Sequence, residues 1–246
     1  MFKAVLIDLD NTMLLFDEPA FHKRFMAALG AHFAHLANPE EVRRRTIAAV
    51  RALRSNTPRR DNRTLFVETF STDLPCSPPE VWAQFESFYQ GPYADLRPPV
   101  DTPHNLHPVL AQLRAMGLIV AVATNPIYPL SAVETRMRWA GLEAETFDLV
   151  THLENMCFVK PQTGYYRQIC DLIATPPEAC LMAGNDPVND MAAAHTGMHT
   201  FRTTDVQADQ SLSLTMTAVS YTHLRAHETS LPISYAVFCW KTGGGG

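Results

Sequence analysis

Apolar and polar residues follow two regimes along the chain, and the switches between them predict its architecture. At the start, Ala4-Val5-Leu6-Ile7 is a short continuous apolar run ending in Asp8. That is the pattern of a strand buried on both faces of a parallel sheet. Residues 17–92 show no strand-type alternation, and their first stretch places Phe21, Phe25, Ala28-Leu29 and Leu36 near a helical period. Helices are predicted over 18–37, 39–53, 63–72 and 78–90. Glu40 and Glu41 open the second, and Pro75, Pro78 and Pro79 separate the last two. The Pro-rich stretch at 92–105 reads as the return linker. Beyond it, short apolar runs at 118–123, 147–150, 180–183 and 199–202 alternate with helical segments near 105–116, 129–140, 163–174 and 188–196. This alternation predicts an α/β fold, a doubly wound parallel sheet, with a small helical bundle inserted after its first strand.

Composition narrows the function. The 246 residues are 46% hydrophobic and 18% charged, ordinary for a globular protein of one large or two modest domains. A net charge of −5 without a basic block argues against nucleic acid as a partner. No apolar run approaches the roughly 20 residues needed to cross a bilayer, and no charged-then-apolar leader opens the chain, so no membrane role is expected. The five Cys lack CxxC spacing, and the ten His are scattered with no HxH pair. They read as thiols in a reducing cytoplasm and as scattered imidazoles, not as zinc ligands.

Chemistry enters at the strand ends. VLIDLDNTM, over residues 5–13, carries Asp8 and Asp10 two positions apart, with Asn11 and Thr12 in the turn that follows. Two acids this close repel unless a cation or a shared proton offsets them. Later strand ends or nearby loops bring Thr124-Asn125, Lys160, and Asn185, Asp186 and Asp190. A parallel sheet gathers all its strand carboxyl ends on one edge, so these groups can converge. Acid oxygens suit Mg²⁺, and a hydroxyl, an amide and an ammonium suit a phosphoryl group. Arg43-Arg44-Arg45 and Arg59-Arg60 read as solvated surface.

Taken in order, LIDLDNT, VATN, VKP and GNDPVND resemble the four motifs of the haloacid dehalogenase superfamily of phosphohydrolases. The resemblance implies a Rossmann-like core over 1–16 and 100–205, a helical cap over 17–92, a linker at 93–99 and a truncated core end at 206–218. It also implies that Asp8 attacks phosphorus, and that Asp10 protonates the leaving oxygen and then activates water. Thr124 and Lys160 would hold the phosphoryl oxygens and their charge, with Thr12 and Asn125 contacting the substrate. Mg²⁺ would be held by Asp8, Asp10 (through its carbonyl), Asn185, Asp186 and Asp190. The fourth motif departs from the family pattern: Asn185 stands where Asp is common. Asn185 can still offer an uncharged carbonyl oxygen, Asp186 next door could supply the carboxylate, and metal binding is expected to survive in weaker form. The implied function is a Mg²⁺-dependent phosphatase of a small phosphorylated metabolite, monomeric or weakly dimeric. A phosphomutase using Asp8 and a non-catalytic binding module stay open. A dehalogenase is disfavoured by Asp10.

From about residue 219 the character changes. VSYTHLRAHET and ISYAVFC resemble translated sequencing-adapter segments, and Gly243 to Gly246 close the chain. Residues 219–246 are therefore expected to be a non-native tail and are set apart from the fold.

Overall fold

The computed structural model describes residues 2–100, 106–203, 215–216 and 229–230. Its centre is β1 (Ala4–Ile7), which pairs in parallel with β2 (Ile119–Val122) on one side. The strand Cys180–Gly184 lies on its other side. In chain order the remaining core strands are β3 (Leu149–Val150), β4 (Cys180–Gly184) and β5 (His199–Arg202). The five-stranded sheet runs β3-β2-β1-β4-β5, all parallel, as the sequence pattern predicts. β6 (Thr215–Met216) and β7 (Thr229–Ser230) form a separate antiparallel pair. Nearly all of the set-apart tail lies outside the described residues.

The side chains of β1 alternate between two cores, as a period of two requires. Val5 and Ile7 join a cluster with Leu110 and Leu113 of α5 (His107–Ala115) and Val133 and Met137 of α6 (Leu130–Trp139). Ala4 and Leu6 pack instead with Tyr165, Tyr166 and Ile169 of α7 (Thr163–Leu172). Both faces of the sheet are thus covered.

The insert is helical: α1 (Glu18–His32), α2 (Pro39–Leu53), α3 (Asn62–Ser71) and α4 (Pro78–Gln90). Side-chain caps define three of the starts. Asp17, Asn38 and Asp61 each accept a first-turn amide, at 3.0, 2.9 and 2.7 Å. The helix expected to reach residue 37 stops at His32, because Asn38-Pro39 begins a new capped helix six residues on. An aromatic cluster of Phe33, Phe66, Phe70 and Phe85 fills the bundle. Arg43, Arg44 and Arg60 pair with Glu40, Glu41 and Glu68 on its surface, as expected of solvated side chains. Arg45 is not solvated: its side chain is 12% exposed, pairs with Glu41 and donates to the Phe70 carbonyl at 3.0 Å, tying α2 to the end of α3.

The insert is tied down on the core. The buried Asn62 side chain donates to the carbonyl of Phe158 at 3.1 Å, and its amide donates to Met156 at 2.8 Å. Gln162 donates to the Arg54 carbonyl at 2.9 Å. Two expectations change. The linker is not a plain tether: Pro92–Leu96 is a 3-10 helix whose Tyr93 is fully buried. The helix expected near 188–196 is a 3-10 helix, Met191–Thr196. It is squeezed between Asp190, held at its start, and Gly197, which turns with φ of 94°. Such short spans favour the tighter helix.

Candidate active site

Register alone assembles the site. Ile7 is level with Val122 on one side and Ala183 on the other, so Asp8, Ala123-Thr124 and Gly184-Asn185 emerge together at the carboxyl edge. The Asp8 amide donates to the Ala183 carbonyl at 2.9 Å, and the Ala123 amide to Ile7 at 2.8 Å, which carries the ladder to the last residue before the site. Asn11 then takes a left-handed conformation, φ 56°, which Asn tolerates well. Its side-chain oxygen accepts the Phe16 amide and its nitrogen donates to Glu18, both at 3.3 Å, locking the turn that presents Thr12.

One buried ammonium serves two buried carboxylates. Lys160 Nζ lies 2.8 Å from Asp8 Oδ1 and 2.5 Å from Asp190 Oδ1. Asp190 can come this close to the sheet because residue 184 is glycine: a Cβ there would sit 2.2 Å from Asp190 Oδ2. Burial and the two acids act oppositely on Lys160, and the acids prevail, holding it charged well above the ordinary lysine range. For Asp8 burial prevails. Lys160 pulls its pKa down and Asp190 pushes it up, and the carboxyl rests at about 7. Asp8 is under-compensated because its cation is shared.

Asp10 has a partner that no motif announced. Arg136 of α6, only 2% exposed, sends Nη1 to Asp10 Oδ2 at 2.5 Å and Nε to the Tyr93 hydroxyl at 2.7 Å. Its guanidinium lies 3.9 Å from the centre of the Tyr128 ring and 5.2 Å from that of Phe21. Burial opposes its charge, but Asp10 more than restores it, so Arg136 stays charged. Among the described residues, Asp10 Oδ1 is buried and finds no hydrogen-bond partner. The sequence did carry a signal for Arg136: it lies on the face of α6 that buries Ala132, Val133, Met137 and Trp139. A charged residue on a core face demands a buried partner.

The other predicted residues divide. Thr12 Oγ1 lies 3.2 Å from both Asp8 Oδ2 and Asn185 Oδ1, so these two oxygens converge on one point. Thr124 is buried and lines the pocket, its carbonyl taken by the hydroxyls of Thr151 and Tyr165. Asn125 lines the pocket, and its Oδ1 accepts the Lys160 amide at 3.2 Å, which holds the lysine's loop. Asp186 lines the polar cavity, and both its oxygens accept hydrogen bonds from its own turn. Its Oδ1 accepts the amides of Val188 and Asn189 at 2.8 and 2.9 Å, and its Oδ2 the Asn189 side chain at 2.7 Å. Burial pushes its pKa up, but these bonds outweigh burial and hold it below the usual range. Its oxygens are spent on shaping the turn. Asp190 likewise gives both oxygens to protein, Oδ2 accepting the Asp186 amide at 2.9 Å.

These groups enclose a polar cavity of about 140 Å³, lined by Asp8, Asp10, Thr124, Asn125, Lys160 and Asn185, with Glu18 and His22 from α1 at its cap side. Five acids, Asp8, Asp10, Glu18, Asp186 and Asp190, line the cavity, and the two cations Lys160 and Arg136 pair with three of them. The imbalance and the neighbouring Asp8 and Asn185 oxygens fit a hard cation with oxygen ligands. Among the described residues no trio of His, Cys, Asp and Glu side chains forms a metal site, so an ion here would depend on the Asn185 amide oxygen and main-chain or water oxygens.

A parallel sheet with a carboxylate pair at the end of its central strand, closed by a helical insert, defines a Rossmann-like α/β protein with an acid-centred site. A family model described as haloacid dehalogenase-like hydrolase matches residues 2–197, and the chain belongs to that family. Among solved structures, CbbY from Rhodobacter sphaeroides with phosphate is 20% identical, covering 85% of this chain and 90% of that one, with a TM-score of 0.51. A CbbY variant from the same organism with xylulose 1,5-bisphosphate is 21% identical, covering 84% and 88%, with a TM-score of 0.51. L-2-haloacid dehalogenase from Xanthobacter autotrophicus is 16% identical, covering 82% and 78%, with a TM-score of 0.47. No curated protein matches the sequence. No helix among the described residues is long and apolar enough to cross a membrane.

Proposed function

We propose that the chain is a Mg²⁺-dependent phosphohydrolase that acts on a small phosphorylated metabolite through an aspartyl-phosphate on Asp8. The observation that carries this is Asp8 at the floor of the polar cavity, ion-paired to Lys160 at 2.8 Å and beside an unpartnered Asp10 oxygen.

Each residue has a task. An Asp8 oxygen attacks phosphorus, the bond to the leaving oxygen breaks, and the leaving oxygen takes a proton from Asp10 Oδ1. Water then attacks phosphorus, Asp10 accepts its proton, and phosphate departs with Asp8 restored. Arg136 fixes the other Asp10 oxygen and leaves Oδ1 without a protein partner. Lys160 and the Thr124 hydroxyl stabilise charge on the transferring group, and Asp190 holds Lys160 in place. Asp8, Asn185 and the Asp10 carbonyl would hold Mg²⁺. Bound there, the ion supplies the positive charge that lets an anionic ester approach an anionic nucleophile.

Phosphate release from acetyl phosphate with Mg²⁺ tests the reading. Asp8→Asn should lower it by at least ~10³-fold. A single turnover in ¹⁸O-water should place the label in phosphate and none in the Asp8 side chain. Label in Asp8 would mean that water attacks the carboxyl carbon, as in cleavage of an alkyl ester intermediate, and would overturn the reading. So would full activity in Asp8→Asn.

A further inference from the structure

A second cavity, of about 270 Å³, lies directly beside the polar one. The two share His22, Ile127 and Tyr128 in their linings, so the cavities adjoin. The larger cavity has a different chemistry. Phe25, Met26, Ile47, Val50 and Phe66, drawn from three cap helices, supply most of its surface. Its polar groups are few: His22, Thr46, Arg51 and the hydroxyls of Tyr89 and Tyr128. The Thr46 hydroxyl donates to the Val42 carbonyl at 2.8 Å, and Arg51 is exposed at the rim. The Tyr128 ring carries the Arg136 guanidinium at 3.9 Å. A ligand rich in hydroxyls would leave them without partners here, whereas a ring or branched chain would fill the space at no such cost.

We propose that this cavity holds the organic half of the substrate, so that the preferred substrates are phosphomonoesters of apolar alcohols and not phosphosugars. The inference rests on the phosphatase reading. The size sets the scale: a cavity of about 150 Å³ takes a benzene ring, so this one accepts a ring with a short side chain. The phosphoryl group then lies over Asp8, with His22, Ile127 and Tyr128 around the ester link.

The test compares 2-phenylethyl phosphate with glucose 6-phosphate, both esters of primary alcohols and so matched in leaving-group chemistry, with acetyl phosphate reporting the chemistry alone. The kcat/KM for 2-phenylethyl phosphate should exceed that for glucose 6-phosphate by roughly 30-fold, the effect of burying one aromatic group. Val50→Trp, which fills the cavity, should lower kcat/KM for 2-phenylethyl phosphate roughly tenfold more than for acetyl phosphate. Equal or better use of glucose 6-phosphate, with acetyl phosphate still hydrolysed, overturns the inference and leaves the phosphatase reading standing. Failure to hydrolyse any of the three overturns both. The wild-type comparison needs no variant, so a Val50→Trp protein that does not fold leaves the test intact.

Discussion

The core and the cap build adjoining cavities by opposite means. The core edge concentrates Asp8, Asp10, Lys160 and Asp190, and each needs a partner because burial penalises charge. The cap offers Phe25, Ile47, Val50 and Phe66, which need only shape. The polar cavity is therefore fixed by a few directional bonds that tolerate little change. The apolar one is fixed by packing, where substitutions that conserve volume are tolerated. On the proposed reading, reaction chemistry belongs to the first cavity and choice of substrate to the second.

Arg136 is where the two regions meet, and removing it should have the largest effect. It joins Asp10 of the core to Tyr93 of the linker and packs on Phe21 of α1. Arg136→Met leaves the Asp10 carboxylate without its cation. It should cost about 3–5 kcal/mol in urea unfolding and roughly 10- to 100-fold in kcat. A change in neither would show that the contact is incidental.

Asp8 sharpens the comparison through pH. Its folded pKa of about 7 stands above the ordinary 3.8. Below pH 4 both folded and unfolded chains hold the proton, and the group is neutral to stability. Between pH 4 and 7 the unfolded chain releases the proton first, so stability falls as pH rises, and above 7 the whole penalty applies. Asp8→Asn should therefore stabilise the metal-free protein at pH 8 by on the order of 2–4 kcal/mol, with little gain near pH 4. Thermal melts in EDTA at the two pH values check this. Mg²⁺ should raise the Tm of the unaltered protein at pH 8 and shift the Asp8→Asn variant far less.

The smallest effect is expected at the tether between the regions. Asn62 is fully buried and donates to Phe158 at 3.1 Å. Asn62→Ala should cost about 1–3 kcal/mol. It should also raise KM more than it lowers kcat, since it loosens the cap without touching the acids. An equal fall in kcat would place the tether in the chemistry.

How far the sequence could be read follows the same divide. The apolar runs ending in Asp8, Thr124 and Asn185 gave the strands, the parallel sheet and the converging edge, because a buried parallel strand must be continuously apolar. The long helical period of residues 17–92 gave the insert. Lys160 was legible from its motif, although no strand end carries it and its loop is held by Asn125. The surroundings of Asp186 were not legible, because a carboxylate in a turn can bind a metal or its own backbone, and spacing does not distinguish them. Hydrogen bonds from Val188 and Asn189 do.

By itself, the sequence determined which segments would be strands or helices and which acids would share one edge, since period and polarity are local properties of a chain. Only the tertiary structure decided that Arg136 clamps Asp10, that Asp186 faces its own turn, and that an apolar cavity opens beside the acids. Those facts depend on which side chains meet across hundreds of possible pairings. Burial then selects among the pairings, because a charge removed from water must find its counterpart.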